Sequence, residues 1–109
     1  MSPADALAML DRQIAENGQT VTLQHDGVSY PLRAFVRGYS PREIGNGIQQ
    51  GDSKVVLSPT ELAAAGFPAD EAPERLDTLV ISGRVRNVEY ATPVELGDAV
   101  VRYDLLVRG

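Results

Sequence analysis

Apolar and polar residues alternate most clearly at the end of the chain. Val101, Tyr103, Leu105 and Val107 fall on one face of an extended segment, and Arg102, Asp104 and Arg108 on the other. A period of two marks a strand with one face in a core. Ahead of it, residues 77–81 carry Leu79, Val80 and Ile81, and residues 84–90 are rich in β-branched and aromatic side chains. Ser82-Gly83 joins these runs, with glycine where a two-residue hairpin turn needs positive φ. Residues 76–109 therefore read as a β-meander, with a loop over residues 91–98 before the last strand.

The first half is more varied. Ser2-Pro3-Ala4-Asp5 opens a helix: a serine cap, a proline at the first helical position and an acid that completes a capping box. Leu7, Leu10 and Ile14 recur on one face, and Asn17-Gly18 is the stop, so the helix is predicted over about residues 3–17. Its apolar stripe is thin, and the helix must dock on the sheet or on another subunit. Residues 20–25 alternate around Val21 and Leu23, and Asp26-Gly27 is a hairpin turn. The return strand covers residues 28–38; Pro31 within it lacks a ladder donor, which places that point at an edge or a bulge. Residues 53–57 form a further strand. Ser58-Pro59-Thr60-Glu61 then repeats the opening cap and starts a short helix to Ala65, closed by Gly66, with Phe67 folding back. Residues 68–74 are an acidic, proline-containing link.

Between the second and third strands, residues 39–52 have neither period. Gly45, Gly47 and Gly51 and a proline punctuate them, and Ile44 and Ile48 are their only aliphatic residues. A connection of this length without structure of its own is uncommon in a compact domain, and is usually functional or mobile. The whole reads as a mainly β fold, a small antiparallel barrel or rolled sheet with an N-terminal helix and one short internal helix.

Composition narrows the function more than it defines it. At 109 residues the chain supports one core and one domain. A formal charge of −5 argues against a protein whose task is gripping phosphates. The absence of cysteine excludes disulfides and thiolate metal sites, and no signal peptide or membrane span is expected, which fits folding in a bacterial cytoplasm.

Candidate chemistry is sparse. His25, the one histidine, stands beside the Asp26-Gly27 turn and is read as an exposed turn residue, with no serine in a nucleophile context to serve. One histidine with scattered carboxylates makes no metal site, and no cofactor is expected. The run from Gly45 to Lys54 has the glycines of a phosphate loop, but no lysine follows the closing glycine and a strand follows in place of a helix. Asp70 and Glu71 read as a solvated connector. Arg84, Arg86, Arg102 and Arg108 read as an outer face paired with Glu89 and Asp104, and alternatively as subunit contacts. No enzyme constellation emerges.

Three strings carry a resemblance: Leu32-Arg33-Ala34-Phe35-Val36-Arg37-Gly38-Tyr39, Gln50-Gly51-Asp52-Ser53-Lys54-Val55-Val56-Leu57-Ser58 and Val101-Arg102-Tyr103-Asp104-Leu105-Leu106-Val107-Arg108-Gly109. From Val21 onward the chain resembles the head–tail joining proteins of tailed bacteriophages, prophages and gene transfer agents. The resemblance implies a small barrel in a virion ring between portal and tail, made in the host cytoplasm. It implies head-completion or stopper duty, with copies of itself, portal or adaptor and tail proteins as partners. DNA would pass through without specific binding, and no membrane is involved. It also implies that the long loop, with Tyr39, Ile44, Gly45, Asn46, Gly47, Ile48, Gln49, Gln50, Gly51 and Asp52, reaches into the channel; the loop's glycines and lack of apolar period independently predict that it is mobile in the free subunit. The alternatives are a tail-completion protein of the same joint and a small β-barrel binding module unrelated to phage.

Overall fold

A computed structural model describes the whole chain, Met1–Gly109. In chain order the elements are α1 (Pro3–Asn17), β1 (Gln19–His25), β2 (Val28–Gly38), β3 (Ser53–Leu57), α2 (Pro59–Ala64), β4 (Thr78–Ile81), β5 (Arg84–Leu96) and β6 (Ala99–Arg108). The six strands close into an antiparallel barrel in the order β1-β2-β3-β6-β5-β4, with β4 returning to pair with β1. No helix is long and apolar enough to cross a membrane.

Local chemistry sets most of these boundaries. The Ser2 hydroxyl accepts from the Asp5 amide, and the Asp5 carboxylate reaches back to the Ser2 amide, so the capping box that starts α1 is complete. Gly18 ends α1 with extended backbone, φ −83°, so positive φ is not what requires glycine there. Close approach is: a Cβ would lie 2.4 Å from the Ile14 carbonyl oxygen and 2.9 Å from that of Ala34. Two of the three two-residue hairpins have positive φ at both turn residues, Asp26 and Gly27 in one, Ser82 and Gly83 in the other; in the third, between β5 and β6, Gly97 alone has it. At the end of α2, Gly66 has φ +88° and the Phe67 amide donates to the Leu62 carbonyl, which brings the Phe67 ring back onto the helix.

Inward-facing residues of all six strands fill the barrel: Val21, Leu23, Leu32, Ala34, Val55, Leu57, Leu79, Ile81, Val88, Leu105 and Val107 are buried in one cluster. Leu62 and Phe67 join it from α2 and the turn after it. Tyr103 is half-buried against the same cluster. Outside it, Ile14, Val56 and Leu106 are buried as well, because α1 lies across the outer faces of β2 and β6. The Arg33 guanidinium fastens that helix by donating to the Gly18 carbonyl at 2.7 Å.

Two features depart from the sequence reading. Residues 91–98 are not a loop: β5 runs on to Leu96 and pairs with β6 up to Leu96 opposite Ala99. Register shifts between Val88 and Tyr90 and between Val94 and Glu95 break the side-chain phase, which hides the strand from a period-two pattern. Pro93 is tolerated because β4 pairs with β5 only as far as Asn87, leaving the remainder with a free edge. Pro31 follows the same logic. β3 pairs with β2 only from Phe35 onward, and the Arg33 amide on the unpaired side donates to Glu61 at 3.1 Å. Pro31, two residues earlier, faces the same way, where it withholds no ladder bond.

Leu105 is fully enclosed, whereas Arg102 is exposed and pairs with Asp104 at 3.0 Å. Leu105→Ala should cost about 2–5 kcal/mol, and Arg102→Ala should stay within about 0.5 kcal/mol, both read from urea melts. Equal costs would mean that the facing of β6 is wrong.

Candidate functional site

Two polar constructions stand out on the barrel: the long β2–β3 excursion with its arginines, and a buried histidine at the β1–β4 seam.

Residues 39–52 have more structure than their sequence pattern predicts. Pro41–Glu43 is a turn of 3-10 helix, and Gly45 and Ile48 exchange backbone hydrogen bonds of 2.8 and 3.0 Å across a tight turn at Asn46 and Gly47. The overlooked signal is Ser40-Pro41-Arg42-Glu43, a third copy of the serine–proline–x–acid pattern that starts both helices. Here the Glu43 carboxylate accepts from the Ser40 amide at 2.9 Å. The Arg37 guanidinium grips the same carboxylate through two hydrogen bonds of 3.1 and 3.0 Å, and holds its pKa down at about 2. Arg37 also lies over the Tyr39 ring, 5.4 Å from its centroid.

The other stem is held from the barrel. Asp52 is only 4% exposed, and its carboxylate accepts from Arg108 Nε at 2.9 Å and from the Arg108 terminal nitrogen at 2.8 Å. The Gln49 amide adds a third bond at 2.8 Å. Arg108's hydrogen bonds hold the Asp52 pKa below the usual carboxylate range, against the opposing effect of burial. Arg108 also donates to the Gly47 carbonyl at 2.9 Å and to Glu89 at 3.3 Å. Arg86 donates to the Gly51 carbonyl and, at 2.7 Å, to the Ser53 hydroxyl.

The two candidate sets thus merge. Arg86 and Arg108, read as outer-face or subunit-contact residues, brace Gly47, Gly51 and Asp52 of the loop within one chain. Arg102 does pair with Asp104 on the outer face, and Arg108 with Glu89. Arg84 reaches the Gly109 carbonyl and takes no part in the loop. Ile44 is exposed and Ile48 partly so; Asp52 is the only loop residue that is buried.

The exposed histidine of the sequence reading is corrected more sharply. His25 is 3% exposed. Its Nδ1 lies 2.8 and 2.9 Å from the two Asp77 oxygens, and its Nε2 lies 2.7 Å from Glu71 and 3.5 Å from Asp26. Phe67 packs on the ring with centroids 5.0 Å apart. The available signal was phase: His25 continues the buried positions Val21 and Leu23 of β1. Glu71 is likewise no idle connector residue, since it fastens the link after α2 to the barrel, while Asp70 remains exposed.

Chemically, the cluster is an imidazolium donating both N–H groups to carboxylates. Burial lowers the His25 pKa, but hydrogen bonds to Glu71 and Asp77 and the negative charges of Asp77 and Asp26 raise it to about 9. Two groups, His25 with Asp26 and Glu71, and His25 with Glu74 and Asp77, bring ligand-type atoms within 4.8 Å of one another. A metal ion there would have to displace a proton from an imidazole whose nitrogens are both already engaged. An open groove of about 230 Å³ lies beside the cluster, lined by Leu62, Phe67, Pro68 and Tyr103 with Glu71 among its walls; His25 does not line it.

No protein-family model matches the chain, and no curated protein matches it.

The histidine cluster has a pH signature. A folded-state pKa raised above 6.5 gives stability that is fully present below pH 6.5 and is lost as pH rises through about 9. For a shift from 6.5 to about 9 the loss amounts to roughly 3 kcal/mol. Urea unfolding at successive pH values across this window should show the fall, and His25→Gln should flatten it while lowering stability at the acid end. A wild-type profile that is flat or rising would refute the ion-paired imidazolium.

Proposed function

We propose that the chain is a non-enzymatic virion subunit of the head–tail joint of a tailed-phage-like particle. Copies of it form part of a ring between portal and tail, and the excursion at residues 39–52 reaches into the channel and helps to retain packaged DNA. The observation that carries this reading is the character of the excursion. It leaves and re-enters the barrel between β2 and β3, places no aliphatic side chain in the core, and is nonetheless positioned at both stems by arginines. A segment built this way is presented to something outside its own subunit. The rigid barrel is the mount, and the net charge of −5 suits a surface along which DNA moves without being held.

The test removes the loop and keeps the mount. Replacing residues 40–50 by a short Gly-Ser linker should leave the melting temperature within a few degrees, since loop closure depends weakly on length. Particles assembled with that protein should package DNA and then lose it before or without tail attachment. Fully infectious particles would refute the channel role, and global unfolding of the shortened protein would refute the division into mount and loop.

A further inference from the structure

The excursion is fastened at two separate places, and the fastenings differ in kind. The first is on the surface: Arg37 and Glu43 are both partly solvated, and the pair ties the 3-10 turn to the end of β2. The second is buried on its acidic side only, with Arg108 itself partly solvated. The Asp52 side chain is 1% exposed and Arg108 is the one cation in contact with it. The same guanidinium holds the Gly47 carbonyl, so one side chain of β6 binds both the tip and the stem. The tip also comes close to β5, since a Cβ on Gly47 would lie 3.4 Å from the Tyr90 hydroxyl. No apolar packing from residues 44–51 joins the core, so apart from the Arg86 bond to the Gly51 carbonyl it is Arg108 that fixes the tip's position.

We infer that residues 39–52 are a latched arm, and that the pair of buried Asp52 with Arg108 is the catch that keeps its tip down on the barrel. A buried carboxylate without its partner is strongly disfavoured. When Arg108 lets go, Asp52 must move to water and take residues 44–51 with it. The catch is therefore a two-position device, down with the pair made or free with both charges hydrated, while the Arg37–Glu43 tie holds residues 40–43 in either position. This inference concerns the isolated subunit and stands apart from the phage reading.

Hydrogen–deuterium exchange on the full chain tests it. In the wild type, the amides of Gly45, Ile48, Gln49 and Asp52, each hydrogen-bonded within the loop, should exchange at least about tenfold more slowly than in an unstructured peptide. Asp52→Asn and Arg108→Gln should each remove that protection while the amides of β3 and β6 stay within about twofold of wild type. Arg37→Gln should speed exchange at Glu43 alone. Arg86→Gln, which leaves the catch whole, covers the case in which the other variants unfold: it should produce a smaller rise confined to residues 49–52. The inference is overturned by unprotected tip amides in the wild type. Protection that survives Asp52→Asn in the folded protein, or an Arg37→Gln change that frees the tip as well, would overturn it too.

Discussion

The fold depends on one seam. Three of the six neighbouring strand pairs are hairpins, and closure of the barrel requires the four-residue β4 to pair with β1. That ladder ends with Gln24 opposite Thr78, where the Thr78 hydroxyl donates to the Gln24 side chain at 2.6 Å. His25 and Asp77 stand one step beyond, and their ion pair extends the seam by side chains where the backbone ladder stops. The Asp77 carboxylate also accepts from the Glu74 amide, and its backbone carbonyl from the Val88 amide. One residue thus joins β1, β5 and the link that delivers β4. Closing contacts more than fifty residues apart in sequence carries a large loop entropy, and a charge-assisted pair in a dry setting is a strong way to hold them.

What was legible in the sequence is what local chemistry decides. Glycine at Gly27 and Gly83, the serine–proline caps, and the alternation of Val21, Leu23, Leu105 and Val107 placed most elements correctly, because each is settled within a few residues. Most of what it leaves out is non-local. His25 reads as a turn residue because its neighbours Asp26 and Gly27 are, and the carboxylates that hydrogen-bond it lie 46 and 52 positions away. The second half of β5 was lost because bulges shift its phase and Pro93 reads as a breaker until one knows that its outer edge is free. Residues 39–52 read as structureless although Ser40 to Glu43 repeats the cap that starts both helices. Without an apolar period behind it, that cap announces a turn and not a helix.

The candidate site was half legible in the same sense. The loop's position follows from its glycines and the arginines stand on predicted strands, but nothing in a linear reading connects Asp52 with Arg108 or Gly51 with Arg86. The link is made by register: Ser53 lies opposite Val107, which sets the residue before the one beside the residue after the other. A charge pair created by strand register can be found in sequence only once the pairing of β3 with β6 is assumed.

Register also decides where the protein's few cations are used. Of ten lysines and arginines, seven are engaged by partners in their own chain: Arg33 on α1, Arg37, Arg86 and Arg108 on the excursion, Lys54 and Arg102 on Asp104, and Arg84 on the Gly109 carbonyl. Arg12, Arg42 and Arg75 are exposed without such partners. Phosphate binding requires guanidinium and ammonium groups free to release condensed counterions. Most of those groups are here engaged by carbonyls and carboxylates of the same subunit. The surface left to a passing polyanion is consequently poorer in free cations than a count of residues suggests. In the proposed setting, the arginines that order the excursion are for that reason withheld from DNA. Positioning the loop and letting the strand slide then follow from the same set of ion pairs.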